Sequence, residues 1–298
     1  MTTENPVIIE AAINGIASKA RNPHVPCTPQ EIAADALACL EAGAAIVHNH
    51  IDQLGDGAAA AARYLEGWRP VLAARPEAIL YPTVGVGADV QARYAHIPLL
   101  AAACAMRQSL FDPGSVNLGG IGADGLPGGA VDFVYANSFN DVRHMAALCD
   151  AHRLGPSIAI FEPGFLRVVL AYQRAGRLPR GAFVKLYFGG DFDYLGGAGK
   201  GVSFGLPPTR AALDAYLEML AGCDVPWAVA VIGGDVIASG LARLALERGG
   251  HLRVGLEDYA GPRQPTNAEL VLEAAALARA VGRTVASCEA AARLLNLP

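Results

Sequence analysis

Charge is scarce in this chain. Charged residues make up 17% of its 298 positions, no Lys/Arg run builds a basic patch, and the net charge is −5, so there is no electrostatic case for nucleic acid. No apolar run reaches membrane-spanning length. The opening residues Met1-Thr2-Thr3-Glu4-Asn5 are polar and acidic, unlike a secretory signal. The six cysteines (Cys27, Cys39, Cys104, Cys149, Cys223 and Cys288) are scattered with no C-x-x-C pair, so they read mostly as small core residues. No Walker-type phosphate motif is present. These absences lead to the expectation of a reduced, cytoplasmic protein with neither a membrane nor a nucleic-acid partner.

What the chain has in quantity is apolar residues, at 53%, enough to fill a large core. Its length suits one large α/β barrel or two modest domains. Strand, turn and helix signals then repeat. Residues 7–13 read as a strand, and Thr28-Pro29-Gln30-Glu31 opens a helix with a capping box and an early proline. Further strands are expected at 44–50, 78–83, 111–117, 157–162, 182–188, 227–232 and 251–255, with helical stretches between them and a short helix near 287–295. Eight such units predict a single (β/α)₈ TIM barrel domain over residues 1–298 with a short C-terminal helix, an open doubly wound sheet being the alternative. Two glycine-rich stretches, 119–129 and 189–205, read as loops. The second lies on the active-site face as a lid, since no G-x-G-x-x-G sits there between a strand and a helix start.

The densest chemistry is the run Ala44-Ala45-Ile46-Val47-His48-Asn49-His50. Residues two apart in a strand point to one side, so both imidazoles aim at one spot at its carboxyl end. Side chains at the carboxyl ends of barrel strands converge. Those ends carry Asn14, His48 and His50, Thr83, Ser115 and Asn117, Glu162, and the block 253–258 with Arg253, Glu257 and Asp258. Two imidazoles with the Glu257 carboxylate compose a His₂Glu set, a known catalytic zinc arrangement. Asp258 then stands as a base, with Arg253 able to orient it or to hold an anionic substrate. The other histidines compete poorly: His96, His144 and His152 fall on or beside helices, His24 lies in a proline-rich loop, and His251 begins its strand.

The segments 6–15, 22–29, 41–50, 114–117 and 251–258 resemble the beta-keto acid cleavage enzyme family over nearly the whole chain, the H-x-H after Ala42-Gly43-Ala44 and the R-x-G-x-E-D block being the most specific. The resemblance implies a (β/α)₈ barrel with a zinc at its mouth. It matches His48, His50 and Glu257 to the zinc ligands, Asp258 to the general base and Arg253 to its activating arginine. Thr83 and Ser115 match hydroxyls that bind the substrate carboxylate, and Glu162 matches a further active-site acid. The implied reaction joins a beta-keto acid to acetyl-CoA, giving acetoacetate and a new acyl-CoA, and the implied assembly is a homotetramer. Three positions depart from the pattern. Ala17 stands where the family member with an amino substrate carries an acid, Asp52 where relatives usually have arginine, and Thr83-Val84-Gly85 where Ser-Thr-Gly is more typical. An amine-bearing substrate is therefore not expected, although Glu10 or Asp52 could supply a replacement carboxylate and Lys19 or Arg21 could attract a second one.

Competing readings are a zinc hydrolase or a metal-dependent aldolase on the same barrel, neither needing CoA, and a noncatalytic binding or assembly protein. Amidohydrolases usually carry H-x-H on the first strand with more histidines later, whereas here the pair is on the second strand and no late histidine sits at a strand's carboxyl end. The convergent His₂Glu set beside an aspartate argues against a noncatalytic role.

Overall fold

The computed structural model describes residues 5–53, 55–192 and 201–298. Its eight barrel strands are β1 (Ile9–Ala12), β2 (Ile46–Asn49), β3 (Ile79–Pro82), β4 (Gln108–Phe111), β7 (Gly155–Ile160), β8 (Phe183–Gly189), β9 (Trp227–Ile232) and β10 (His251–Val254). They form one sheet in the order β3-β2-β1-β10-β9-β8-β7-β4, and every hydrogen-bonded neighbour pair is parallel. The end strands β3 and β4 lie side by side, so the sheet curls into a nearly closed barrel. The strands are buried along almost their whole length, as parallel strands covered on both faces must be. The barrel anticipated from the repeating units is the one observed.

Helices α1 (Pro29–Ala42), α2 (Gly57–Ala74), α5 (Phe139–His152), α6 (Pro163–Arg174), α7 (Arg210–Met219), α8 (Leu241–Glu247) and α9 (Asn267–Ala280) follow the strands, and α10 (Cys288–Leu294) ends the fold. The Thr28/Glu31 capping box forms at the start of α1, and Gly43 stops that helix at a φ of 117°. Two short helices, α3 (Val90–Tyr94) and α4 (His96–Ala103), fill the connection between β3 and β4, which the sequence reading left open. The glutamate expected to end the fifth strand, Glu162, instead stands at the N-cap position of α6 without a capping hydrogen bond from its side chain.

The fourth unit differs from expectation. Its strand ends at Phe111, and the residues expected to complete it belong elsewhere: β5 (Val116–Ile121) pairs antiparallel with β6 (Pro127–Tyr135) in a separate hairpin. The cause lies in Asp112-Pro113-Gly114, which follows Phe111 directly. Proline cannot donate to a sheet ladder, and a Pro-Gly step turns the chain. The glycine-rich stretch 119–129 is thus built partly into this hairpin rather than a loop. Of the expected lid 189–205, residues 193–200 lie outside the described residues. No helix among the described residues is long and apolar enough to cross a membrane.

Candidate active site

Alternation along β2 sets up the site. His48 faces the barrel interior, while Asn49 points away and accepts a hydrogen bond from the buried Trp68 Nε1 of α2 at 2.8 Å. That bond satisfies the indole and pins the strand against its helix. Register places His48 beside Tyr81 of β3, and the two rings stack at 4.4 Å. His50 lies just past the strand, where Asn14 fixes its backbone: Asn14 Oδ1 accepts from the His50 N–H at 2.8 Å and its Nδ2 donates to the His50 carbonyl at 3.1 Å.

The loop after β10 brings Glu257 to these rings. Gly255 makes the approach feasible: it sits at a φ of 137°, and a Cβ there would collide with the Ala12 backbone. Glu257 N–H then donates to the Ala12 carbonyl at 3.1 Å. Across the strand ends, His48 Nε2 lies 3.3 Å from Glu257 Oε2 and His50 Nε2 lies 3.6 Å from Glu257 Oε1. The donor atoms of all three residues fall within 4.8 Å of one another.

The protonation states fit a cation between them. Burial is the main cause that pulls the His48 imidazole down to about 3, so it is neutral near pH 7. Its Nδ1 lies 3.3 Å from the Tyr81 carbonyl, which calls for the N–H on that nitrogen and leaves a lone pair on Nε2. Burial acts to raise the Glu257 carboxyl, but Arg253, His48 and His50 outweigh it and hold the group well below the carboxylate range. An imidazole lone pair and a carboxylate oxygen therefore face each other with no proton between, and the buried Glu257 Oε2 has no hydrogen-bond partner. Two acceptors in that arrangement repel unless a cation joins them. The donor set suits a divalent transition metal such as zinc.

Arg253 is the hub beneath. Its Nε and Nη2 reach the two Asp258 oxygens at 2.8 and 3.0 Å, a bidentate pairing. Nη2 also pairs with Glu257 Oε1 at 2.9 Å, and Nη1 with Glu10 Oε1 at 2.8 Å. Asp258 is buried, and burial raises its carboxyl above the ordinary value despite the opposing guanidinium, which suits a carboxylate meant to take a proton. Burial also acts to raise Glu10, yet Lys185, Arg253 and the Tyr81 hydroxyl outweigh it and hold its carboxyl at about 2.

These groups line a cavity of about 410 Å³ at the barrel mouth. Its wall includes His48, His50, Glu257, Asp258 and Arg253 on one side. Tyr81, Ser157 and Lys185 project from the barrel strands, and Ile16, Val84, Val86, Leu118, Phe133 and Phe161 give it an apolar surround.

The remaining candidates are dispersed. Thr83 lines the cavity, with its N–H given to the Tyr64 hydroxyl at 3.1 Å and its carbonyl 2.9 Å from His96 Nε2. Asn14 is occupied by backbone groups around His50. Ser115 exchanges hydrogen bonds with the Asn137 backbone, and Asn117 is exposed in the β5–β6 ladder; neither lines the cavity. Glu162 accepts from Gly205 N–H at 3.0 Å and fastens the chain after the glycine-rich stretch. Glu10 is fully buried, and Asp52 is held by Arg63 at 2.6 and 2.8 Å, so neither stands free at the mouth. Lys19 pairs with Glu31 and Arg21 with the Tyr259 carbonyl.

Sequence reading missed Tyr81, Ser157, Lys185, Asp112 and Tyr135 as cavity residues. Lys185 was detectable as a lone cation in the apolar strand Phe183–Gly189. His96 was set aside as helical, yet it too reaches the cavity wall.

The chain is similar to proteins of known activity. It is 27% identical to a 3-keto-5-aminohexanoate cleavage enzyme of Fusobacterium nucleatum, over 98% of both chains. It is 30% identical to a 3-oxoadipate:acetyl-CoA acetyltransferase of Cupriavidus necator, covering 98% of this chain and 95% of that one. It is 27% identical to a 3-dehydrocarnitine:acetyl-CoA trimethylamine transferase of Rhizobium meliloti, covering 98% and 96%. Among solved structures, apo ObcA superposes with a TM-score of 0.67 at 18% identity, over 94% of this chain and 66% of ObcA, a likeness of fold. The profile of the beta-keto acid cleavage enzymes matches residues 6–297, and the chain belongs to that family.

Proposed function

We propose that this protein is a zinc-dependent beta-keto acid cleavage enzyme that joins a beta-keto acid to acetyl-CoA and yields acetoacetate and a new acyl-CoA. The observation that supports this most is the Glu257–Asp258 pair: one carboxylate faces two histidines while its neighbour is held by Arg253. Zinc held by His48, His50 and Glu257 would supply Lewis-acid polarisation of the substrate's keto oxygen. Asp258 takes the proton from the carbon between ketone and carboxylate, and Arg253 keeps its oxygens aimed. The resulting carbanion attacks the acetyl thioester, and CoA then cleaves the chain in a retro-Claisen step. No enzyme nucleophile is needed, in keeping with buried thiols such as Cys39 and Cys149, which burial shifts up and away from reactivity. Thr83, on the cavity wall, supplies a hydroxyl for the substrate carboxylate, the role the family resemblance implies.

The cavity's rim favours a substrate with an uncharged apolar tail. Ile16 and Val86 are more than half exposed and line it, and the two acids that could replace the one absent at Ala17 are engaged elsewhere, Glu10 with Arg253 and Lys185 and Asp52 with Arg63. The deciding experiment is a panel of beta-keto acids with acetyl-CoA, read as acetoacetate. Product that depends on both substrates is expected. Turnover that proceeds equally well without acetyl-CoA would instead establish the hydrolase or aldolase reading.

A further inference from the structure

Ser157, on β7, is buried and lines the cavity. Its Oγ lies 2.6 Å from Lys185 Nζ. The same ammonium reaches the Tyr81 hydroxyl at 2.6 Å and Glu10 Oε1 at 3.2 Å. A protonated lysine has three donors and no acceptor, so these three partners saturate it. The Tyr81 hydroxyl donates to Glu10 Oε1 at 2.6 Å, which leaves its oxygen lone pairs to accept from Lys185. Ser157 must therefore accept from Lys185 and cannot donate back. Among the described residues no protein group accepts the Ser157 proton, and the open direction left to it is the cavity.

Two cations stand on this wall, interleaved with the carboxylates of Asp112, Glu257 and Asp258. Lys185 and Arg253 meet on the same tyrosine oxygen, at 2.6 and 3.3 Å. Hydrogen bonds run without a gap from Ser157 through Lys185 and Tyr81 to Arg253, which also holds Glu257 and Asp258. Glu10 offsets one of the two cations but is fully buried behind them. Asp112 faces the same cavity from β4's end, where its Oδ2 is bonded to the Tyr135 hydroxyl at 2.5 Å.

We infer that Ser157, with Lys185 behind it, is a further substrate-binding residue whose hydroxyl donates to the carboxylate of the beta-keto acid. The inference rests on the beta-keto acid reading proposed above. A keto acid carries its two oxygen functions on either side of one carbon, and both the His48–His50–Glu257 group and the Ser157 hydroxyl line the one cavity. The ketone meets the His48–His50–Glu257 end, and the carboxylate meets the Ser157–Lys185 end. Burial pushes the Lys185 ammonium down from its ordinary value and the adjacent Glu10 opposes that fall, while its nitrogen is already shared among Ser157, Tyr81 and Glu10, so a binding role for Ser157 is favoured over a nucleophilic one.

The test is calorimetric binding to the as-purified protein of acetoacetate and of methyl acetoacetate, which has the same skeleton without the charge. For Ser157→Ala, acetoacetate should bind roughly tenfold to a hundredfold more weakly, the range of one hydrogen bond to a charged group. Methyl acetoacetate should be little affected, and Ser157→Thr, which keeps the hydroxyl, should restore acetoacetate binding. Equal losses for both probes in the alanine variant, or no loss for either, would overturn the inference. So would a covalent acetyl adduct on Ser157 after incubation with acetyl-CoA. Wild-type protein that binds neither probe would overturn the beta-keto acid reading itself, and the inference with it.

Discussion

Asn14 and His50 are fastened through both backbone groups of the histidine, at 2.8 and 3.1 Å, so the loop after β1 sets where the second imidazole of the site stands. Asn14 is buried, and its side chain also takes the Gly15 N–H and gives to the Pro26 carbonyl. Asn14→Ala should therefore lower stability by about 1–3 kcal/mol, the cost of leaving buried partners unpaired, and should lower metal content together with activity. Thermal unfolding and metal analysis of the purified variant would show it. A raised KM with normal metal content would instead make Asn14 a substrate contact.

Metal content tests the histidines and Glu257 directly. The protein as purified should carry about one zinc per chain, as a three-ligand site with an open position requires. His48→Ala and Glu257→Gln should each lose it. Full occupancy in the double variant His48→Ala/His50→Ala would remove the site from these residues.

Asp258→Asn separates ligation from proton transfer. The carboxylate is engaged by Arg253 rather than by the histidines, so the variant should retain metal while its turnover falls at least roughly a hundredfold. Arg253→Lys keeps one charge but forfeits the fork that grips both Asp258 oxygens. It should lose activity as well. A near-wild-type rate in Asp258→Asn would exclude that residue as the base.

What could be read from sequence follows from where charge interrupts apolar strands. His48 and His50 ended an apolar run two residues apart, and Glu257 and Asp258 followed another, so barrel geometry alone brought them together. Ser115 and Asn117 were misplaced for one reason: they were assigned to a strand that Pro113 does not permit to continue. Glu10 stood in the sequence only as a possible replacement carboxylate, and its neighbours Tyr81, Ser157 and Lys185 escaped because they lie deeper in their strands than the carboxyl ends. Glu10 and Lys185 are charged residues inside otherwise apolar strands, and a buried charge requires a partner. Their pairing across the barrel is a tertiary fact that spacing does not encode.

Stability should depend on pH through Asp35. This half-buried residue of α1 accepts from Asn267 Nδ2 at 2.7 Å, and Asn267 in turn holds Leu256 N–H and the Ile13 carbonyl, next to the Glu257 loop. Burial raises the Asp35 carboxyl from 3.8 to about 6, with the Asn267 and Cys39 hydrogen bonds offsetting only part. Below the lower value both folded and unfolded chains hold the proton, and there is no penalty. Between the two values the unfolded chain ionises first, so stability falls as pH rises through the window and stays reduced above about 6. Asp35→Asn removes the titration while its amide oxygen can still accept from Asn267. The variant should gain stability relative to wild type between pH 4 and pH 7, by at most roughly 3 kcal/mol. Urea unfolding at the two pH values measures the difference, and a constant offset would refute the assignment.

Substrate choice should follow the cavity's rim. A cationic tail needs a carboxylate partner, because a buried, unpaired ammonium costs several kcal/mol. Each acid that could serve near the first strand is otherwise engaged: Glu10 with Arg253 and Lys185, Asp52 with Arg63. An anionic tail fares little better there, since Lys19 is paired with Glu31 and Arg21 with the Tyr259 carbonyl. What does meet a tail is apolar surface from Ile16, Val84, Val86 and Phe133. The expected order of kcat/KM is therefore a plain aliphatic beta-keto acid first, a dicarboxylic one next and the 5-amino compound last. A hydrophobic pocket discriminates by roughly tenfold per methylene, whereas an unpaired buried charge costs far more, so the gap to the amino compound should be the widest. A preference for the amino compound would point to Asp112 as its partner, the one cavity-lining carboxylate outside the Arg253 cluster among the described residues, and Asp112→Asn would then abolish that preference.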